Sequence, residues 1–123
     1  MNGWLLAGGL MASVCAAGHA IAGPRMFYRP IKAAVTNELQ AGVLTGMWHL
    51  ITIHFVSSAL VLLYLGLRGQ TDGAVWLVAA QFIGYAATYF VISLRLGGIL
   101  KLFQWLPFAA TAILAAAGAL AAG

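Results

Sequence analysis

Apolar residues fill this chain in four long blocks, parted by short polar breaks. The blocks cover residues 3–22, 42–66, 73–94 and 99–121. Each is long enough for a helix to cross a bilayer, which takes about 20 residues. In lipid the backbone N–H and C=O groups must be paired within the segment, so each block is predicted to be a helix. The first block is expected to close at Gly23-Pro24. Residues 68–73 read as a tight polar turn, with Thr71 or Asp72 placed to cap the next helix. Gly97-Gly98 marks the third connection, and Pro107 reads as a kink or a helix start.

Only the connection over residues 24–41 is long. Pro30 suits a first helical turn. Ile31, Ala34, Val35 and Leu39 then recur at helical spacing, with Lys32, Thr36, Asn37 and Gln40 on other faces. The pattern predicts a short amphipathic helix lying in the membrane interface, as a covering linker first and a gate or docking element second. Short second and third links predict that helices two and three pack together, and three and four likewise. The expected fold is an all-α integral membrane protein. It forms one four-transmembrane-helix antiparallel bundle, with the amphipathic interfacial helix between helices 1 and 2.

Composition supports lipid as the solvent. Of 123 residues, 63% are hydrophobic and 7% charged, against roughly a quarter charged in a soluble domain. The net charge of +4 sits beside the apolar blocks, with no polybasic run and no nucleic-acid motif. It therefore reads as topology and as contact with anionic lipid. Arg25, Arg29, Lys32, Arg95 and Lys101 flank the first and third connections, and only Arg68 the second. The positive-inside rule then places the first and third loops in the cytoplasm and both termini outside, in a bacterial-type inner membrane. Trp4, Trp48, Trp76 and Trp105 each fall near the start of a block, as an aromatic belt requires. The first block also resembles a signal peptide, with Ala20-Ile21-Ala22 as a cleavage site. It lacks a basic n-region, and a retained span is the favoured reading. Val14 before Cys15 is too large for a lipoprotein box.

Helices one and four carry small residues at four-residue spacing: Gly8, Ala12, Ala16 and Ala20, and more weakly Ala110, Leu114, Gly118 and Ala122. Such faces let backbones approach closely. Packing within the bundle is the first reading, and contact with another membrane subunit or a second copy is the other.

Candidate chemistry rests on few residues. On helix two Thr45, His49 and Thr52 share a stripe, and His54, Ser57 and Ser58 lie roughly opposite. His49 and His54 point about 140° apart and cannot share one metal ion. Cys15, His19 and His49 are the candidate metal ligands, for copper or zinc. His19, His49 and His54 are the candidate ligands for a haem. Structural hydrogen bonding is the simpler reading of all three histidines. On helix three Gln81, Tyr85, Thr88 and Ile92 form a stripe expected to face inward. Together with Thr45, Thr52, Ser57 and Ser58 it makes a polar seam. Arg25, Arg29 and Lys32 are candidates for a lipid headgroup.

No carboxylate stands in the first block, as small multidrug transporters require, and Asn37-Glu38 has the wrong spacing for the membrane-associated eicosanoid and glutathione family. The functional expectation is a non-enzymatic accessory or structural subunit of a larger membrane complex, or a homo-oligomer, with no nucleic-acid partner. A membrane redox protein using His or Cys, and a small channel or carrier, are the alternatives. Composition identifies no cofactor.

Overall fold

The structure, a computed structural model, describes residues 1–121. It is helical, with no strand among the described residues. Helix α1 spans Gly3–Ala17 and α2 spans Arg29–Ala34. Helix α3 runs over Glu38–Arg68, α4 over Gly73–Arg95 and α5 over Trp105–Leu120. Among the described residues three helices are long and apolar enough to cross a membrane: Gly3–Ala22, Glu38–Arg68 and Gly73–Arg95. Helix α5 is apolar but shorter, at 16 residues.

The first helix does not close at Gly23-Pro24, contrary to expectation. Gly23 keeps helical dihedrals, with φ −54° and ψ −41°. Two wide π-helical turns, Gly18–Ala22 and Pro24–Tyr28, carry the helix on into α2. Pro24 takes the first position of the second wide turn, to which it brings no N–H. The predicted linker helix is thus a short continuation of the first helix. The chain turns only at residues 35–37, where Asn37 caps α3 by accepting from the Gln40 amide at 3.2 Å. Helix α3 begins at Glu38 rather than residue 42. The fourth predicted block is trimmed at its start. Residues 96–104 are turns, because Gly97 takes φ +91° and Ser93 draws the loop back. The Ser93 hydroxyl donates to the Gly98 carbonyl at 2.7 Å and accepts from the Leu102 amide at 3.0 Å. Pro107 falls in the first turn of α5.

Helix α1 packs closely on α3 and on α5, and α5 on α4. The reason is side-chain size. Gly8, Ala12 and Ala16 of α1 are buried, as are Ala112, Ala115 and Gly118 of α5. A Cβ built on Gly9 would lie 2.7 Å from Leu63 Cγ, and one on Gly66 would lie 2.9 Å from the Leu6 backbone nitrogen. Ala122 of the weaker small-residue repeat lies outside the described residues, and Ala20 is exposed. Helices α3 and α4, expected as close neighbours, are instead held apart by large side chains. Phe55 meets Phe82 and Phe108 at ring-centroid distances of 5.8 and 5.5 Å, and Tyr85 meets all three within 6 Å. Tilted and edge-on pairs of this kind each add about 0.5–1.5 kcal/mol beyond area burial.

The buried face of α4 is Val75, Val78, Ala79, Phe82, Ala86 and Ser93. The stripe expected to face inward is therefore misplaced. Thr88 and Ile92 are exposed and Gln81 is half-buried, and of the four only Tyr85 packs its ring against the core. Thr88 can face outward because its hydroxyl donates to the Gly84 carbonyl at 2.8 Å, so no donor is left bare.

Candidate functional site

Depth along α3 locates the polar residues. Its 31 residues make a rod of about 46 Å at 1.5 Å per residue, well beyond a hydrocarbon core of about 30 Å. Counting about 20 residues back from Leu67, beside Arg68, reaches Trp48. Trp48 thus divides the length a bilayer needs from the stretch of α3 that precedes it, on the side of Arg25, Arg29 and Lys32.

At this level the π-helical stretch of the first helix faces α3. The rings of His19 and Trp48 stack, with centroids 4.1 Å apart and planes 18° from parallel. His19 Nε2 lies 3.2 Å from the Trp48 carbonyl. A carbonyl only accepts, so Nε2 carries the proton and neutral His19 keeps Nδ1 as its acceptor. Thr52 also donates to the Trp48 carbonyl, at 3.0 Å. Tyr28 and Thr45 are 2.8 Å apart. Thr45 spends its own proton on the Ala41 carbonyl at 2.8 Å, so Tyr28 is the donor of that pair. Lys32 stands 5.5 Å over the Tyr28 ring.

Between these walls lies a cavity of about 280 Å³. Pro24, Tyr28 and Arg29 line it from the first helix, and Trp48, His49 and Thr52 from α3. Arg29 is the one cation among its described lining residues, which include no carboxylate. Gly23 makes the wall possible. A Cβ there would lie 2.8 Å from Trp48 Cζ2. Gly23→Ala is expected to displace the indole and break the His19–Trp48 stack. The check is the difference in tryptophan emission between the Gly23→Ala and Gly23→Ala/Trp48→Phe proteins. An emission component of Trp48 identical to that in the parent protein would contradict this geometry.

The structure brings some candidate residues together and scatters others. His54 lies elsewhere, in the aromatic centre. Its Nε2 is 3.4 Å from Ser58 Oγ, and its ring meets the Tyr85 edge at 5.7 Å. Ser58 is buried, but Ser57 beside it is exposed. The seam of Thr45, Thr52, Ser57, Ser58, Gln81, Tyr85 and Thr88 is therefore not one surface. It divides into Thr45 and Thr52 beside Tyr28 and Trp48, a central pair of Ser58 and Tyr85 around His54, half-buried Gln81, and outward-facing Ser57 and Thr88. Buried Cys15 lies against the Thr111 hydroxyl. Thr111 in turn donates to the Pro107 carbonyl at 2.9 Å. Among the described residues no three His, Cys, Asp or Glu side chains gather as metal ligands, so Cys15, His19 and His49 form no such group. Of the three candidate headgroup residues, Arg29 lines the cavity, Lys32 lies over Tyr28, and exposed Arg25 does neither.

Sequence reasoning did not assign Pro24, Tyr28 or Thr52 to this cavity. The i, i+4 spacing of Tyr28 and Lys32 was a usable signal; the π-helical turns had none. No protein-family model, curated protein or solved structure matches this chain.

Proposed function

We propose that the chain is a four-span membrane protein acting as a non-enzymatic accessory or structural subunit, in a larger membrane complex or a homo-oligomer. In this reading α5 is the fourth span of an antiparallel bundle, and α2 lies in the interface. The loops bearing Arg25, Arg29, Lys32, Arg95 and Lys101 are cytoplasmic, and both termini are outside, in a bacterial-type inner membrane.

The observation that carries this reading is the outer groove between α4 and α5. It encloses about 370 Å³ and is lined by apolar residues. Buried Ala86 and Ala112 form its floor, and Ala87, Ala109 and Ala116 line it with Ile83, Phe90, Trp105 and Ile113. A floor of small residues admits the close approach of another apolar helix, by the same packing that joins α1 to α5. The interior offers the opposite picture at His19, His54 and Thr111, whose polar groups already have partners. His19 is bonded to the Trp48 carbonyl, His54 faces Ser58, and Thr111 is bonded to its own helix. The redox reading through Cys15, His19, His49 or His54 has less support, because His19 and His54 are already bonded and no three such residues gather among the described residues. The channel or carrier reading would need a continuous polar path, and Ser57 and Thr88 face away from one.

The test is association in native nanodiscs, read by mass photometry and by what copurifies. The wild-type chain is expected as a dimer or larger assembly, or with one membrane partner. Ala116→Phe, which fills the groove, is expected to release a monomer of unchanged helix content. A wild-type monomer without a partner overturns the proposal.

A further inference from the structure

We infer that the cavity between the π-helical stretch of the first helix and α3 is a binding site for the phosphate of an anionic phospholipid headgroup, with Arg29 and His49 as its ligands. The inference rests on the basic end lying at the membrane surface, and not on the subunit role proposed above.

Three observations converge. The first is depth. Trp48, one bilayer length from Arg68 along α3, forms one wall of the cavity, so with the basic end at the membrane surface the cavity opens at the height of lipid phosphates. The second is charge. Arg29 enters the cavity from one side, Lys32 stands over Tyr28 close by, and the described lining residues include no acid to neutralise the guanidinium. A guanidinium binds phosphate through two parallel N–H···O bonds, which a lysine cannot copy.

The third is the supply of donors. Tyr28 and Thr52 also line the cavity, but their hydroxyl protons are spent on Thr45 and on the Trp48 carbonyl. His49 is exposed and lines the same cavity across from Arg29. Arg29 and His49, together with the Trp48 indole, are therefore the side chains with N–H groups to offer an anion. The stacked His19–Trp48 pair and Gly23 hold the opposing wall in place. The cavity, at about 280 Å³, accommodates a phosphodiester with part of its glycerol.

The experiment is native mass spectrometry of the purified full chain with added phosphatidylglycerol, phosphatidylcholine or inorganic phosphate. The expected result is one retained phosphatidylglycerol and little phosphatidylcholine. Arg29→Gln is expected to lower that retention about tenfold, the effect of one hydrogen-bonded charge, and His49→Ala by less. Arg25→Gln removes the same charge outside the cavity and is expected to stay near the wild-type value. Arg29 is exposed, so helix content by circular dichroism is expected to be unchanged in all three variants. Equal losses in Arg25→Gln and Arg29→Gln would mean diffuse attraction and overturn the site. Equal retention of phosphatidylcholine would overturn its preference for anionic lipid. Displacement of the lipid by millimolar inorganic phosphate would assign the cavity to a free anion and overturn the lipid assignment.

Discussion

Gly66→Ala is expected to destabilise the helix packing by about 1–3 kcal/mol, the cost of overpacking a tight interface. The value should fall at the upper end of that range. The added methyl would meet Leu6 at its backbone nitrogen, 2.9 Å away, and its Cγ, 3.0 Å away. A side chain can rotate aside, but a helix backbone yields only if α1 and α3 separate. That movement would also strain the bond from the Asn2 amide to the Gly66 carbonyl, now 2.7 Å. The matched control is Gly84→Ala on α4, where a Cβ meets nothing within 4 Å. There the same change is expected to be neutral or to stabilise by up to about 1 kcal/mol, through helix propensity alone. Reversible denaturation in mixed detergent micelles, followed by circular dichroism, measures both. Equal effects at the two glycines would show that α1 and α3 do not meet at Gly66.

Asn2→Ala carries the second large effect. The Asn2 side chain accepts from the Trp4 and Leu5 amides, each at 3.2 Å, and so caps α1. Its Nδ2 donates to the Gly118 carbonyl of α5 at 2.8 Å. One residue thus ties the start of α1 to the ends of α3 and α5. Losing a cap costs about 0.5–2 kcal/mol, and losing the bond to Gly118 about 1 kcal/mol more. Asn2→Asp separates the two parts. It keeps the cap acceptor but replaces the donor with an oxygen facing the Gly118 carbonyl. Stability should therefore rank wild type above both variants in the same denaturation assay. Full recovery in Asn2→Asp would mean that the bond to Gly118 contributes nothing to stability.

Both effects act on positions that sequence reading treated unequally. The Gly8, Ala12 and Ala16 face was visible because small residues at four-residue spacing define one side of a helix. Gly9 and Gly66 were not visible, because an isolated glycine in an apolar run does not reveal what stands opposite. Asn2 was not singled out, although a polar residue directly before an apolar block is an N-cap position. Its reach across to Gly118 depends on the return of a helix more than a hundred residues later. The candidate site divides the same way. Arg29 stood out as a candidate for a lipid headgroup, and His49, inside the second block, as a candidate metal or haem ligand. Their shared cavity depends on two π-helical turns that carry the first helix past Pro24.

Hydropathy by itself determined that the chain is helical and suited to lipid, because a backbone without water must pair within each segment. It also located the breaks near Arg68 and Gly97. Only the tertiary structure decided which helices touch. Close approach is a property of two facing surfaces: small residues draw α1 against α3 and α5, while Phe55, Phe82 and Tyr85 hold α3 and α4 apart. It also decided which way each polar side chain turns. A hydroxyl bonded to its own helix, like that of Thr88, can face outward, and a histidine can be spent on a neighbouring carbonyl. Period and composition record the residue but not its partner.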